Sequence, residues 1–232
     1  MAKSRSLTNA MSAGRGLVVA AAFLALPLPT LAQQHQPIGR FVVDVHGTSA
    51  GLPTGPGWTP DVPSDTELPS RAIGLDVGGH VYLVRFRRVA LGVGATWGLA
   101  RGRTRPVDVP EGTSNPIFRA PEVTTRLATL APQVSLNFGH SLGWSYLSAG
   151  LGRTRVESEA VATTGTIQYV ARDSDWTKTL NFGGGARWFI NDHLGVGFDL
   201  RWHKVSIVPA TATRPAASRA SLLTAGVGIS IK

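Results

Sequence analysis

The chain has 232 residues, 16% of them charged and 7% aromatic, with a formal charge of +9 and no cysteine. That length allows one or two ordinary domains, and disulfides say nothing about its compartment. Beyond the N-terminal region, every long uncharged stretch is broken by glycine or threonine, which excludes a helical integral membrane protein.

The first 32 residues read as an export signal. Lys3, Arg5 and Arg15 form a basic start, and "LVVAAAFLAL" (17–26) is a short apolar run. Pro27 and Pro29 then break the helix, and Ala32 offers a small residue for cleavage. The apolar run is roughly half of what a spanning helix needs. The mature chain, 33–232, is expected to form one domain. Removing the three leader cations takes the balance from +9 to +6. An arginine-rich excess of this kind suits a phosphate-rich partner, nucleic acid or lipid headgroups, and export argues against nucleic acid.

Strict alternation then recurs in eight places. Phe41, Val43 and Val45 open it. Ile73, Leu75, Val77, Val81 and Leu83 follow, then Val89 to Leu99 at every second position. Leu130, Val134, Leu136 and Phe138 make the fourth set, and Leu147, Ala149 and Leu151 the fifth. Leu180, Phe182, Ala186, Trp188 and Ile190 make the sixth. Leu194 to Trp202 supplies the seventh, and Leu223 to Ile231 closes the series. A period of two places each set on one face of a strand. The opposite face is largely glycine and small polar residues, which suits a crowded interior such as that of a small barrel.

The links between these sets alternate in length. Long segments rich in Pro and Gly follow the first, third, fifth and seventh. Short ones ("RFRR", "GHSLG", "NDH") follow the second, fourth and sixth. A meander with tight turns at one rim and long loops at the other is the pattern of a membrane-spanning barrel. Closure removes the sheet edges that hydrocarbon would not tolerate. The expected fold is therefore all-β: a closed eight-stranded antiparallel up-and-down transmembrane β-barrel. Phe41, Phe138, Trp144 and Trp188 are expected as an aromatic girdle near the short turns, with Trp97, Trp176 and Trp202 near the long loops.

The segment "NFGGGARWFINDHLGVGFDLRW", with "YLSAGLG" and the closing "LLTAGVGISIK", resembles the small eight-stranded OmpA/OmpX-like outer-membrane barrels of Gram-negative-type bacteria. The resemblance implies an outer-membrane location and a role for the outer-membrane assembly machinery as a partner. Such barrels usually end in an aromatic residue that this machinery reads. Here the alternation is kept over Ile229-Ser230-Ile231, and the sequence closes on Lys232.

On the inward face, Asp44, Asp76, His80, Arg187, Asp199 and Arg201 are expected as a lumen ion network, because eight strands leave an interior just wide enough for side chains and buried charges must be paired. An acid/base site built on an Asp–His pair is the alternative. "NFGHSLGW" and "HGTSAG" place Ser near His, without an acid beside them. No catalytic residues, metal ligands or cofactor site are assigned: no His/Cys/Glu set has ligand spacing, and no phosphate-cradling loop is in context. At the outer rim Arg101, Arg103, Arg105, Arg153, Arg155 and Arg219 are candidates for contacts with lipopolysaccharide phosphates.

The expected function is that of a small monomeric outer-membrane protein. Its lumen is plugged, and its long extracellular loops act in adhesion or at the envelope. An outer-membrane enzyme acting on lipid A acyl chains, or a narrow channel, are the alternatives.

Overall fold

The computed structural model describes residues 37–64, 66–104, 121–161, 169–212 and 214–232. The expected signal segment 1–32 and Arg105 lie outside the described residues. The strands are β1 (Phe41–Gly51), β2 (Arg71–Phe86), β3 (Val89–Arg103), β4 (Glu122–His140), β5 (Gly143–Val161), β6 (Arg172–Asp173), β7 (Thr177–Phe189), β8 (Leu194–Val205) and β9 (Ala220–Ile231). Each long strand pairs antiparallel with its neighbour in the chain, and β5 pairs with β7. β1 then pairs with β9, from Val43↔Ile231 to Ala50↔Thr224, and closes the ring. The result is an eight-stranded antiparallel barrel. The two-residue β6 only extends the outer end of β5 (Glu157↔Asp173).

The links sort by side as the sequence implies. Residues 87–88, 141–142 and 190–193 are tight turns at one end, and the strand ends that lead into the long segments lie at the other. In the first turn Arg87 has φ 51°. That left-handed backbone is unfavourable for a side-chain-bearing residue, and a two-residue hairpin demands it. In the third turn the Asn191 Oδ1 accepts the backbone N–H of His193 (2.9 Å) and of Leu194 (2.8 Å).

The period-two sets face outward, with Ala186 buried among them. Ile73, Leu151 and Val227 are 79, 74 and 69% exposed, and similar apolar side chains surround the barrel. Monomeric soluble proteins do not carry an apolar band that encircles them. The exterior is that of a transmembrane barrel. Trp97, Trp176 and Trp202 lie toward the long-loop rim, and Phe41, Phe138 and Trp188 toward the short-turn rim.

Trp144 corrects the expected girdle. It is buried, on the inward parity of β5 opposite to Leu147 and Leu151. Its ring stacks on Phe189 (4.8 Å between centroids) and meets Tyr82 edge-on (6.1 Å). Height along the strand suited a girdle, but parity decides the face.

The interior has three levels. An apolar cluster of Ile38, Val42, Tyr82, Ala90, Trp144 and Phe189 fills the short-turn end. A polar layer occupies the middle. Near the long loops a second apolar cluster includes Ala50, Leu127, Val156, Val205 and Leu222, and the first long link adds Leu52 and Trp58.

Candidate functional site

Glycine makes room for the polar layer. An added Cβ at Gly94 would meet the His80 ring at 2.6 Å, and one at Gly228 would meet the His46 ring at 2.9 Å. Glycine at the paired positions of the neighbouring strands thus leaves room for the two imidazoles. Around them runs a hydrogen-bonded chain that crosses the lumen. Arg187 Nε donates to Asp44 Oδ1 (2.8 Å) and Nη2 to Oδ2 (2.6 Å). The Ser230 hydroxyl donates to the same Oδ1 (2.6 Å). The Arg187 guanidinium lies 3.9 Å from the centre of the Tyr146 ring, within cation–π range. Tyr146 Oη donates to Asp199 Oδ2 (2.7 Å). Arg201 donates to both oxygens of Asp199 (3.1 and 2.9 Å) and, at 3.4 Å, to Asn181 Oδ1.

Of the lumen residues read from the sequence, the structure joins Asp44 to Arg187 and Asp199 to Arg201. Asp76 and His80 line the same layer. The Asp44 carboxylate is held by Arg187 and Ser230, while neither ring nitrogen of His80 has a hydrogen-bond partner. An Asp44–His80 acid/base pair is therefore not formed. Tyr146, Ser230 and Asn181 were not anticipated. Inward parity on β5, β9 and β7 was the signal that would have found them.

The open space between these groups is small. One cavity of about 20 Å3 lies among His46, Asp76, Arg201 and His203. Another of about 10 Å3 lies among Asp44, His80, Tyr146 and Arg187. Each has room for about one water. His46 and Ser49 of "HGTSAG" face opposite ways, one buried and one exposed. His140 and Ser141 lie at a short turn, away from the long-loop rim. Among the described residues no group of three or more His, Cys, Asp or Glu is placed to hold a metal ion.

The outer rim shows a second pattern. On six of the eight long strands, the outward residue just beyond the last apolar one is a cation. These are Arg71 on β2, Arg101 on β3, Arg126 on β4, Arg153 on β5, Lys178 on β7 and Lys204 on β8, and all are exposed. On β1 that position is Gly47, followed outward by Ser49, and on β9 it is Ser221. Arg101 and Arg153 were expected here. The other four are found by asking which residue first breaks the outward apolar set.

The remaining rim arginines have other partners or places. Arg103 is bound to Glu122 (Nη2–Oε2 2.5 Å). Arg155 holds Asp173 through Nε (3.0 Å) and Nη2 (2.5 Å). Arg219 is exposed in the last long link. Along their own strands these pairs lie beyond the collar residues Arg101, Arg126 and Arg153, and the Arg103 hydrogen bond lowers the Glu122 pKa while the Arg155 hydrogen bond lowers that of Asp173. The long links also tie to one another: Arg172 pairs with Asp61, and Trp58 Nε1 donates to the Ser218 carbonyl (3.0 Å).

No protein-family model and no curated protein matches this chain. Solved structures do. Neisserial surface protein A is 12% identical, covering 84% of this chain and 97% of its own, with a TM-score of 0.49. The outer membrane protein OprG from Pseudomonas aeruginosa is 10% identical over 85% and 97%, with a TM-score of 0.47. Ail, the attachment invasion locus protein of Yersinia pestis, is 9% identical over 82% and 95%, with a TM-score of 0.46. At these identities the likeness is one of fold. The closed eight-stranded barrel is established by this chain's own strand pairings, and it agrees with the resemblance to small outer-membrane barrels read from the sequence.

Proposed function

We propose that this chain is a monomeric outer-membrane barrel whose filled interior serves as a rigid base. Its long extracellular loops carry the function, in adhesion or in upkeep of the envelope. The observation that carries this reading is the sequence of seals along the axis. The Trp144–Phe189 cluster occupies one end, the Asp44–Arg187 and Asp199–Arg201 pairs the middle, and Trp58 with its neighbours the other end. Among the described residues the two lumen cavities hold about one water each, which supports a lumen closed to ions and substrates. The loops support the second half of the reading. Their described parts are joined through Arg172–Asp61 and Trp58–Ser218, which supports a shared surface at that rim. The cationic collar supports the orientation, since it would set that surface beyond a phosphate-rich leaflet.

The test is twofold. The purified chain, reconstituted in planar bilayers, is expected to give no conductance steps. In whole cells, protease is expected to cut the long links and spare the short turns. Steady conductance by the wild-type chain would overturn the filled-lumen reading, and cleavage confined to the short turns would reverse the orientation.

A further inference from the structure

On the barrel's outer wall, β2 to β5 enclose a groove that the collar alone does not explain. Its cavity is about 620 Å3, which lies in the range of small-molecule sites. The rungs of the sheet define it. Ile73, Arg101, Arg126 and Glu157 lie on one rung, and Leu75, Leu99, Ala128 and Arg155 on the next toward the apolar belt. Trp97 lies one rung lower, and Trp176 stands at the opposite side, just before β7. The groove exists because Ala128 is small where its neighbours on the rung are large.

The groove is cationic above and apolar below. The acid within it, Glu157, is already engaged by Arg155 (2.7 Å) and Arg126 (3.9 Å), and Arg126 Nη2 also donates to Glu159 Oε1 (3.2 Å) at the groove's upper edge. Among the described residues Arg101 has no ion pair, and it is exposed. A guanidinium free to bind, over leucines and between two tryptophans, fits an amphiphile with a phosphate at its head. The flat faces of Trp97 and Trp176 favour a sugar ring beneath that phosphate over a slender glycerol.

Resting on the outer-membrane reading above, we infer that this groove is a binding site for one phosphorylated glycolipid of the lipid A type. Arg101 and Arg126 hold its phosphate, Trp97 and Trp176 flank its sugar, and an acyl chain runs down past Leu99. Among the described residues the β9–β1 wall carries Ser49 and Ser221 in place of outward cations.

Native mass spectrometry of the full chain in detergent micelles tests this. The probes are diphosphorylated lipid A, its dephosphorylated form and phosphatidylglycerol. One lipid A is expected to stay bound per chain. The R101Q/R126Q variant and the dephosphorylated probe should each weaken binding by about tenfold or more, the scale of a lost charge-assisted hydrogen bond. K178Q/K204Q, away from the groove, should bind as wild type does. Heat-modifiable gel mobility checks that each variant is folded. Lipid A retained equally by R101Q/R126Q overturns the site, as does equal loss in K178Q/K204Q or equally tight phosphatidylglycerol. A folded wild-type chain that binds no lipid A overturns the site and leaves the barrel reading standing. A chain that does not fold in micelles overturns both.

Discussion

Arg187 of β7 holds Asp44 of β1 past two intervening strands, with Nε 2.8 Å from Oδ1 and Nη2 2.6 Å from Oδ2. Both side chains are almost wholly buried, at 2 and 6% exposure. Attraction between them offsets a large desolvation cost, so removing one partner is worse than removing both. Arg187→Leu is expected to lower stability by about 3–5 kcal/mol, because it strands a buried carboxylate. Arg187→Leu combined with Asp44→Leu should recover most of that loss. Urea unfolding of the barrel in phospholipid vesicles gives both numbers. Singles that simply add in the double variant would mean that the pair is not coupled.

Acid should loosen the outer end of β5 before it loosens the barrel. Asp173 is held by Arg155 and by the Asp175 backbone N–H (2.8 Å), and its pKa is lowered. A lowered folded-state pKa contributes stability that is fully present above the unfolded value of about 3.9 and is lost as pH falls through the folded value. Ser174 N–H donates to the Val156 carbonyl (2.9 Å) and reports the docking of this segment. Its hydrogen exchange, corrected for intrinsic rates, is expected to speed up below about pH 4. In Asp173→Asn it should be fast and independent of pH. Equal pH dependence in that variant would exclude Asp173 as the titrating group.

Much of this architecture was legible because a barrel in lipid writes its geometry into two simple patterns. Parity gives the face of each strand, and loop length gives the rim. Leu147 and Leu151 could be placed on lipid by parity alone, and the same rule applied to Trp144 would have sent it inward. Partner choice was not legible. Asp44 and Arg187 are 143 residues apart, and only closure between β1 and β9 brings them together. Trp58 was also beyond reach. Its segment has no periodicity, and its burial depends on the last long link passing over it.

Trp58 is the keystone of the outer seal. It is 2% exposed, and its Nε1 donates to the Ser218 carbonyl (3.0 Å). Trp58→Ala removes a large buried ring and a cross-link between the first and last long links, at a cost of about 3–5 kcal/mol to that cap. The strands are hydrogen-bonded all round, so the barrel should keep its heat-modifiable mobility. Protease cutting within 206–219 should rise sharply. If cutting there is unchanged, the cap does not depend on this ring.

The lipid face makes the most demanding prediction, because cost must follow both parity and depth. Phe198 faces outward midway along β8, and its ring stacks on Trp188 at 5.8 Å. Phe198→Arg is expected to cost about 2–4 kcal/mol beyond Phe198→Ala, the cost of an arginine at the bilayer midplane. Trp202 is outward near the long-loop rim and stacks on Phe182 at 6.0 Å. Trp202→Arg loses that contact, but its charge can reach the headgroups, so the excess over Trp202→Ala should fall to about 0–1 kcal/mol. Gly197 lies between them in sequence and faces the lumen. A Cβ there would sit 3.1 Å from Ser230 Oγ and 3.4 Å from His46 Nε2. Gly197→Ser therefore crowds the polar layer, at a cost that should not change with the lipid used. Reversible unfolding in vesicles of short and long acyl chains separates the cases. The Phe198→Arg excess should grow with chain length, and the Gly197→Ser cost should stay constant. An arginine at 198 that costs the same in every lipid, or a wild-type chain that folds in plain buffer, would mean that this apolar band is not a membrane surface.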